Sequence, residues 1–205
     1  MMTMDWTKLA DDETIERTAK ALKANGFEPI VVNSGEDAKR KVLELIPKGS
    51  EVMTSTSTTS NEIGLAKELD ESGNYNSVRK KLSAMDGSKQ LLEMKKLGAA
   101  PEWTVGSAHA VTEDGKVIIA SASGSQLPGY SYGALHVVWV ISTQKIVKDL
   151  DQGVKRIYEH TLPLETERVK KAYGFPGSEV RKLLIMQKEM PGRITVILVK
   201  EKLGF

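Results

Sequence analysis

The chain has 205 residues, of which 40% are hydrophobic and 27% are charged, and it contains no cysteine. This length suits one domain that buries about 70% of its extended surface on folding and needs no disulfide or metal. Because cysteine is absent, disulfide bonds, thiolate metal sites, cysteine nucleophiles and self-contained iron–sulfur clusters are excluded. The three histidines leave little material for a histidine-rich metal site. We therefore predict no metal site and no bound cofactor.

Basic and acidic residues nearly cancel, at 29 against 27, for a formal net charge of +2. They also alternate along the chain, as in residues 36–41 and 200–202, so no face of one sign is predicted. A nucleic-acid-binding protein needs a clustered basic patch, and we expect no nucleic-acid partner. Residues 1–13 lack the pattern of a signal peptide, and the most apolar segment, 134–141, is shorter than the ~20 residues that span a bilayer. We expect a cytoplasmic protein without a membrane partner.

The first part of the chain predicts alternating helices and strands. Ile15, Ala19 and Leu22 recur at helical spacing, with capping residues before them and Asn25-Gly26 after them. A strand over 27–32, a helix over 36–46 and a strand over 50–54 follow. This alternation is typical of a parallel α/β sheet.

The second part adds an antiparallel portion. Helices are predicted over 61–69, 77–97 (one or two), 150–160 and 163–173, and strands over 108–112, 116–121, 136–141, 180–187 and 194–200. Asp114-Gly115 between two of these strands is a strong hairpin signal. We predict an α/β fold in which a mostly parallel, Rossmann-like sheet is flanked by helices and carries a smaller antiparallel extension. The whole chain, 1–205, is expected to form a single domain with an N-terminal helix at about 11–25.

A run of hydroxyl residues leaves the strand at 50–54 and enters the predicted helix at 61–69. Ligands bind at this end of strands in open α/β sheets, and hydroxyls with free N–H groups at a helix start suit phosphate or carboxylate. The candidate ligand-binding residues are Ser55, Thr56, Ser57, Thr58, Thr59, Ser60 and Asn61. In the alternative interpretation Ser60 or Asn61 only caps the helix and the other hydroxyls face solvent. The glycine spacings of phosphate loops and dinucleotide sites are absent.

A second candidate segment covers residues 106–115. Gly106 and Ser107 are candidate binding residues, and His109 and Glu113 are candidate acid–base groups. A strand would separate His109 from Glu113 by about 13 Å, so joint metal ligation is not expected. Alternatively, His109 belongs to the core and Glu113 is a solvated turn residue.

The third candidate is the loop over 121–133, where small residues allow a ligand close to the backbone. Its binding candidates are Gly124, Ser125 and Gln126, and the alternative is an ordinary flexible loop. Lys145 follows the strand at 136–141. Most lysines are exposed, but its strand-end position makes it a candidate anion contact.

These segments resemble the LUD-domain family, the lactate-utilization proteins. The resemblance rests on 55–65 (STSTTSNEIGL), 106–126 (GSAHAVTEDGKVIIASASGSQ), 136–147 (HVVWVISTQKIV) and 191–204 (PGRITVILVKEKLG). It implies the fold of the sugar-phosphate isomerase and CoA-transferase superfamily (NagB/RpiA/CoA-transferase-like). Residues 111–115 differ from the form found in lactate operons, and the chain more closely resembles a stand-alone branch of the family.

The resemblance also implies a function. It points to a bacterial protein that binds a small anionic metabolite of the organic acid, sugar phosphate or acyl-CoA class and is linked to lactate utilization. If the protein is an enzyme, a carboxylate nucleophile or proton shuttle is implied, with Glu62 and Glu113 as candidates. The alternative is a non-catalytic regulatory or assembly subunit that docks onto an iron–sulfur redox complex. In either case iron–sulfur proteins are expected partners, since this chain cannot hold a cluster itself.

Overall fold

The structure is a computed structural model that describes residues 4–205. Its strands are β1 (Glu28–Val32), β2 (Glu51–Thr54), β3 (Asn76–Ser77), β4 (Trp103–Gly106), β5 (Ala110–Thr112), β6 (Val117–Ser121), β7 (His136–Ser142), β8 (Ile146–Val147), β9 (Lys182–Met186) and β10 (Ile194–Val199). Its helices are α1 (Asp12–Ala24), α2 (Gly35–Leu45), α3 (Thr58–Glu62), α4 (Leu65–Glu71), α5 (Val78–Ser83), α6 (Leu91–Ala99), α7 (Leu150–Arg156) and α8 (Leu162–Tyr173). π-Helical turns cover Gly129–Gly133 and Ile157–Thr161, and a 3₁₀ turn covers Thr143–Lys145.

Six strands form the main sheet in the order β1-β10-β7-β4-β2-β3, and all its pairs are parallel. Helices lie on both faces, so the central strands are apolar on both sides. In β7, Val137, Trp139 and Ile141 enter one core and Val138 and Val140 the other, as the two-residue period of a strand requires. The predicted α/β fold with a mostly parallel sheet is confirmed.

A smaller sheet has the order β8-β5-β6-β9. The predicted hairpin is present as β5 and β6, and Gly115 adopts φ +81° at its turn. The extension is mixed rather than purely antiparallel, because β8 pairs in parallel with β5. The two sheets share a core with α1, in which Ile15 and Leu22 of the helix meet side chains from both.

Several predicted boundaries change in the structure. The helix predicted over 61–69 starts earlier, at Thr58, and is split into α3 and α4 at Gly64, which adopts φ +64°. Residues 150–173 form one helical run through a π-helical turn rather than two helices. The last two strands are not neighbours: β9 lies at the edge of the small sheet, whereas β10 lies between β1 and β7.

Among residues 4–205, no helix has both the length and the apolar character that crossing a membrane requires.

Candidate functional site

A cleft of about 580 Å³ opens where three neighbouring parallel strands end. Residues 55–59 follow β2, Ser107 follows β4, and Lys145 ends the turn after β7, so the sheet order brings these distant segments together. The facing wall comes from β6, the loop after it and α8. This volume is within the range of small-molecule sites, and the carboxyl ends of parallel strands are where such sites occur.

Lys145 is the most unusual residue of the cleft, because its side chain is 4% exposed. Its Nζ donates to Thr59 Oγ1 at 3.2 Å and to Ser107 Oγ at 3.3 Å, and within residues 4–205 it has no carboxylate partner. Burial, followed by the charge of Arg156, lowers the pKa of Lys145 to about 7, against a smaller opposing effect of Glu62. Its amine is therefore available in both protonation states near neutral pH.

Arg156 is fully buried behind the cleft at the end of α7. Its Nη1 donates to the His109 carbonyl oxygen at 2.8 Å and to Thr161 Oγ1 at 3.2 Å, and burial lowers its pKa to about 10. Arg156 does not line the cleft itself, but its charge adds to the effect of burial in lowering the pKa of Lys145.

His109 lines the cleft but is not suited to proton transfer at neutral pH. Its Nδ1 accepts a hydrogen bond from the Ala120 N–H at 3.1 Å, which fixes the proton on Nε2. Burial, with the charges of Lys145 and Arg156, lowers the pKa of His109 to about 3. His109, which directly precedes β5, is therefore a neutral histidine whose side chain hydrogen-bonds to β6.

Glu62 has a structural partner close to Lys145. Its Oε2 accepts a hydrogen bond from the Gly204 N–H at 2.7 Å. Gly204 has φ +61°, and a Cβ there would lie 2.4 Å from Thr59 Oγ1 and 3.5 Å from Lys145 Nζ. The segment before Phe205 thus passes directly over the lysine, and Glu62 holds it there.

Gly106 allows a tyrosine hydroxyl into the floor of the cleft. A Cβ at Gly106 would lie 1.9 Å from the Tyr130 hydroxyl oxygen, so no side chain fits. Burial raises the pKa of Tyr130 to about 12, and the hydroxyl therefore stays protonated at neutral pH. Gly106 has a packing role rather than a place in the lining.

Arg79, from α5, stands at the hydroxyl side of the cleft. Its guanidinium donates to the Thr54 carbonyl oxygen through Nε at 3.1 Å and reaches Thr56 Oγ1 at 3.5 Å. The hydroxyl segment itself is capped by Ser57, whose Oγ accepts from the Ser60 N–H at 3.2 Å. The alternative interpretation, in which Ser60 or Asn61 caps the helix, is therefore wrong, because the helix begins inside the hydroxyl run with Ser57 as its cap.

The loop after β6 is compact. Ser121 Oγ accepts a hydrogen bond from the Gly124 N–H at 2.8 Å and donates one to Gln126 Oε1 at 3.0 Å. Gly124 adopts φ +84° and packs on the Lys182 side chain. The loop presents Ser125 and Gln126 to the cleft.

The mouth of the cleft has an aromatic and charged rim. Tyr173 and Phe175 have ring centroids 6.0 Å apart and are more than half exposed. Arg168 forms two hydrogen bonds of 2.7 Å with Glu165 and lies 5.6 Å from the Tyr173 ring centre. The Glu165 interaction raises the pKa of Arg168, which stays charged.

The predicted site residues divide into two groups. The cleft is lined by Ser55, Thr56, Ser57, Thr58, Thr59, Ser107, His109, Ser125, Gln126 and Lys145, and it is not lined by Ser60, Asn61, Glu62, Gly106, Gly124 or Glu113. Glu113 differs most from its predicted acid–base role. The hairpin turn that carries it packs on α1, and Glu113 Oε2 accepts a hydrogen bond from Arg17 Nη2 at 2.7 Å.

Several cleft residues were not among the sequence candidates. Arg79, Tyr130, Glu165, Arg168 and Tyr173 all belong to helical segments with no distinctive local pattern. The hydroxyl run could be found because it comes directly after a strand; these residues join it only through the way the helices pack. Within the described residues 4–205, no cluster of three or more His, Cys, Asp or Glu could hold a metal ion.

Comparisons with known proteins agree with this architecture. A crystal structure of a DUF162 family protein from Deinococcus radiodurans superposes with a TM-score of 0.58, covering 94% of this chain and 99% of that chain at 12% identity. At that identity the likeness shows the fold alone. No curated protein matches the sequence significantly. The LUD domain family model matches residues 15–199. The chain therefore belongs to the LUD-domain family.

Proposed function

We propose that the protein binds a small anionic metabolite in the cleft at the ends of β2, β4 and β7. The observation that carries this proposal is Lys145, a buried amine whose hydrogen-bond partners within residues 4–205 are two neutral hydroxyls. A buried charge without a carboxylate partner is costly to the folded state. A ligand carboxylate or phosphate would supply the missing negative charge.

The surroundings of Lys145 suit such an anion. Thr59 and Ser107 offer hydroxyls at the deep end, Arg79 stands beside the hydroxyl run, and Arg156 adds a buried positive charge. Hydrogen bonds between charged groups of this kind contribute about 1.5–3 kcal/mol each. The volume accepts organic acids and sugar phosphates whole, and the open mouth allows longer acyl esters to extend past Tyr173.

Lactate and pyruvate belong to this ligand class, and the link to lactate utilization is part of the proposal. It is supported by membership of the LUD-domain family and by the basic side chains of Lys145 and Arg79 that line the cleft. An iron–sulfur partner stays a prediction, since nothing in the structure of residues 4–205 tests it.

Calorimetric titration with lactate, pyruvate, ribose 5-phosphate and acetyl-CoA tests the proposal, with lactamide as an uncharged match for lactate. We expect one of the anions to bind, and Lys145→Met to weaken its binding about 10- to 100-fold through loss of the charged hydrogen bond. Lys148→Met, at an exposed lysine three residues away, should leave binding unchanged. Absence of binding by every anion at millimolar concentration, or equal binding by Lys145→Met, would contradict the proposal.

A further inference from the structure

We propose that Lys145 is a nucleophile that forms an imine with an aldehyde or ketone carbon of the bound anion. The inference rests on the proposed anion-binding function and names the substrate class more closely: a small carbonyl-bearing acid or phosphate. It begins from the position of Nζ, which is held within the cleft by two hydroxyl groups rather than by a carboxylate.

An anion site does not by itself require that its lysine be buried. An arginine or a half-exposed lysine would bind a carboxylate and remain charged without the cost of desolvation. Burial of an amine, in contrast, favours its neutral form, which is the form that attacks carbonyl carbons. Besides burial, the groups that set its charge state are Arg156 on α7 and Glu62 on α3. The histidines that face it, His109 before β5 and His160 in the π-helical turn, have their own pKa values lowered by burial and also by the charge of Lys145. With a pKa of about 7, about half of the Lys145 population is neutral at pH 7.

The two hydroxyl neighbours suit the steps of the reaction. The lone pair on Nζ attacks the carbonyl carbon, the C=O π bond opens, and a carbinolamine forms. Its oxygen then leaves as water with the two hydrogens of the amine, and a C=N bond to Lys145 remains. Thr59 and Ser107 lie within hydrogen-bond reach of Nζ, and each hydroxyl can both donate and accept while the proton moves from nitrogen to oxygen.

Reductive trapping tests the inference directly. The full-length protein is incubated with glyoxylate or pyruvate and sodium cyanoborohydride at pH 7, and the adducts are located by intact mass and peptide mapping. With its pKa lowered to about 7, Lys145 has a much larger neutral fraction at this pH than an ordinary lysine, whose pKa is about 10.4. We therefore expect Lys145 to be labelled first and at least about tenfold faster than any exposed lysine.

The variants separate a nucleophile from a merely positive residue. Lys145→Arg keeps the charge and should retain anion binding by calorimetry while losing the adduct, and Lys148→Met should be labelled like the native protein. Labelling of Lys145 should rise with pH and level off above about 7, whereas exposed lysines continue to gain reactivity toward pH ~10.4. Calorimetric binding of pyruvate or glyoxylate with no adduct at Lys145 would overturn the imine but leave the anion site intact. Absence of both binding and adduct, with anions of other classes also failing to bind, would overturn both.

Discussion

Within the described part of the chain, residues 4–205, the titratable amine of Lys145 hydrogen-bonds only to two hydroxyl groups. Its pKa of about 7 is lower than the value of about 10.4 for a lysine in the unfolded chain. Between these values the unfolded chain binds a proton that the native chain has released. The contribution of Lys145 to the free energy of unfolding therefore increases as pH rises from about 7 to about 10.4. The cost of the buried charge is greatest below pH 7.

Replacing Lys145 with Met should remove this pH dependence. We expect Lys145→Met to be more stable than the native protein at pH 6, and the difference to shrink by up to about 1.4 kcal/mol per pH unit between pH 7 and 10. Urea unfolding of both proteins, repeated at intervals of one pH unit, measures this stability difference, with Lys148→Met as the control. Parallel stability curves for the native protein and Lys145→Met would show that the lysine is not buried as a titrating amine.

At single positions, the sequence pattern identifies residues at the end of a strand but not the segments that cover them. Lys145 could be named as an anion contact from its place after β7, yet its burial depends on Gly204 passing over it, some sixty residues later. Glu113 was a candidate because of its residue type; its ion pair with Arg17 of α1 depends on how the hairpin packs. Burial and pairing are properties of the assembled fold, so local sequence does not encode them.

Among the elements, the π-helical turn at Gly129–Gly133 depends on one arginine. Arg193 donates through Nε to the Ala134 carbonyl at 3.0 Å, and through Nη2 to the carbonyls of Gly129 at 3.0 Å and Tyr130 at 2.9 Å. Its side chain is 16% exposed and pairs with Glu189, which is 12% exposed. This turn carries Tyr130 into the floor of the cleft, so Arg193 positions the site from outside it.

Replacing Arg193 with Met should destabilise the protein by about 3–5 kcal/mol, because the carbonyls lose this donor and the Glu189 carboxylate, which keeps the Met190 N–H, loses its charged partner. Arg193→Lys should recover only part of this loss, since an ammonium group cannot match the planar fork. Arg40→Met, which breaks an exposed ion pair with Asp37, should cost less than about 1 kcal/mol. Chemical denaturation measures all three, and similar losses for Arg193→Met and Arg40→Met would refute the anchoring role.

Elements with strong local periodicity were predicted well, and those defined by their partners were not. α1, α2, the β5–β6 hairpin and β7 have apolar spacing and end signals of their own. The strands β3 and β8 were missed because two residues are too few for a pattern to emerge, and the four-residue β4 was missed as well. Strand order could not be predicted either. The sequences of β9 and β10 are both apolar, and only tertiary pairing places the two strands in different sheets.

At the scale of the whole molecule, α1 connects the two sheets. Leu22 and Ile15 enter a core that includes Val117 and Ile119 of the small sheet and Val137, Trp139, Val196 and Leu198 of the main sheet. Outside the core, Asn25 Nδ2 of the helix cap donates to the Asp114 and Gly115 carbonyls at 2.9 and 3.0 Å. A core shared in this way predicts that both sheets unfold together, as the expected single domain requires.

Replacement of Leu22 with Ala tests this coupling. Leu22 is fully buried, so the lost contacts and the cavity should lower the free energy of unfolding by about 2–5 kcal/mol. Because both sheets contact the same cavity, far-ultraviolet circular dichroism and tryptophan fluorescence, to which Trp6, Trp103 and buried Trp139 all contribute, should still follow one coincident transition. Leu92→Ala, at a leucine 60% exposed on α6, controls for leucine loss and should cost less than about 1 kcal/mol. Separate transitions for the two probes in Leu22→Ala would mean that the sheets are independent folding units, and that α1 stabilises only one of them.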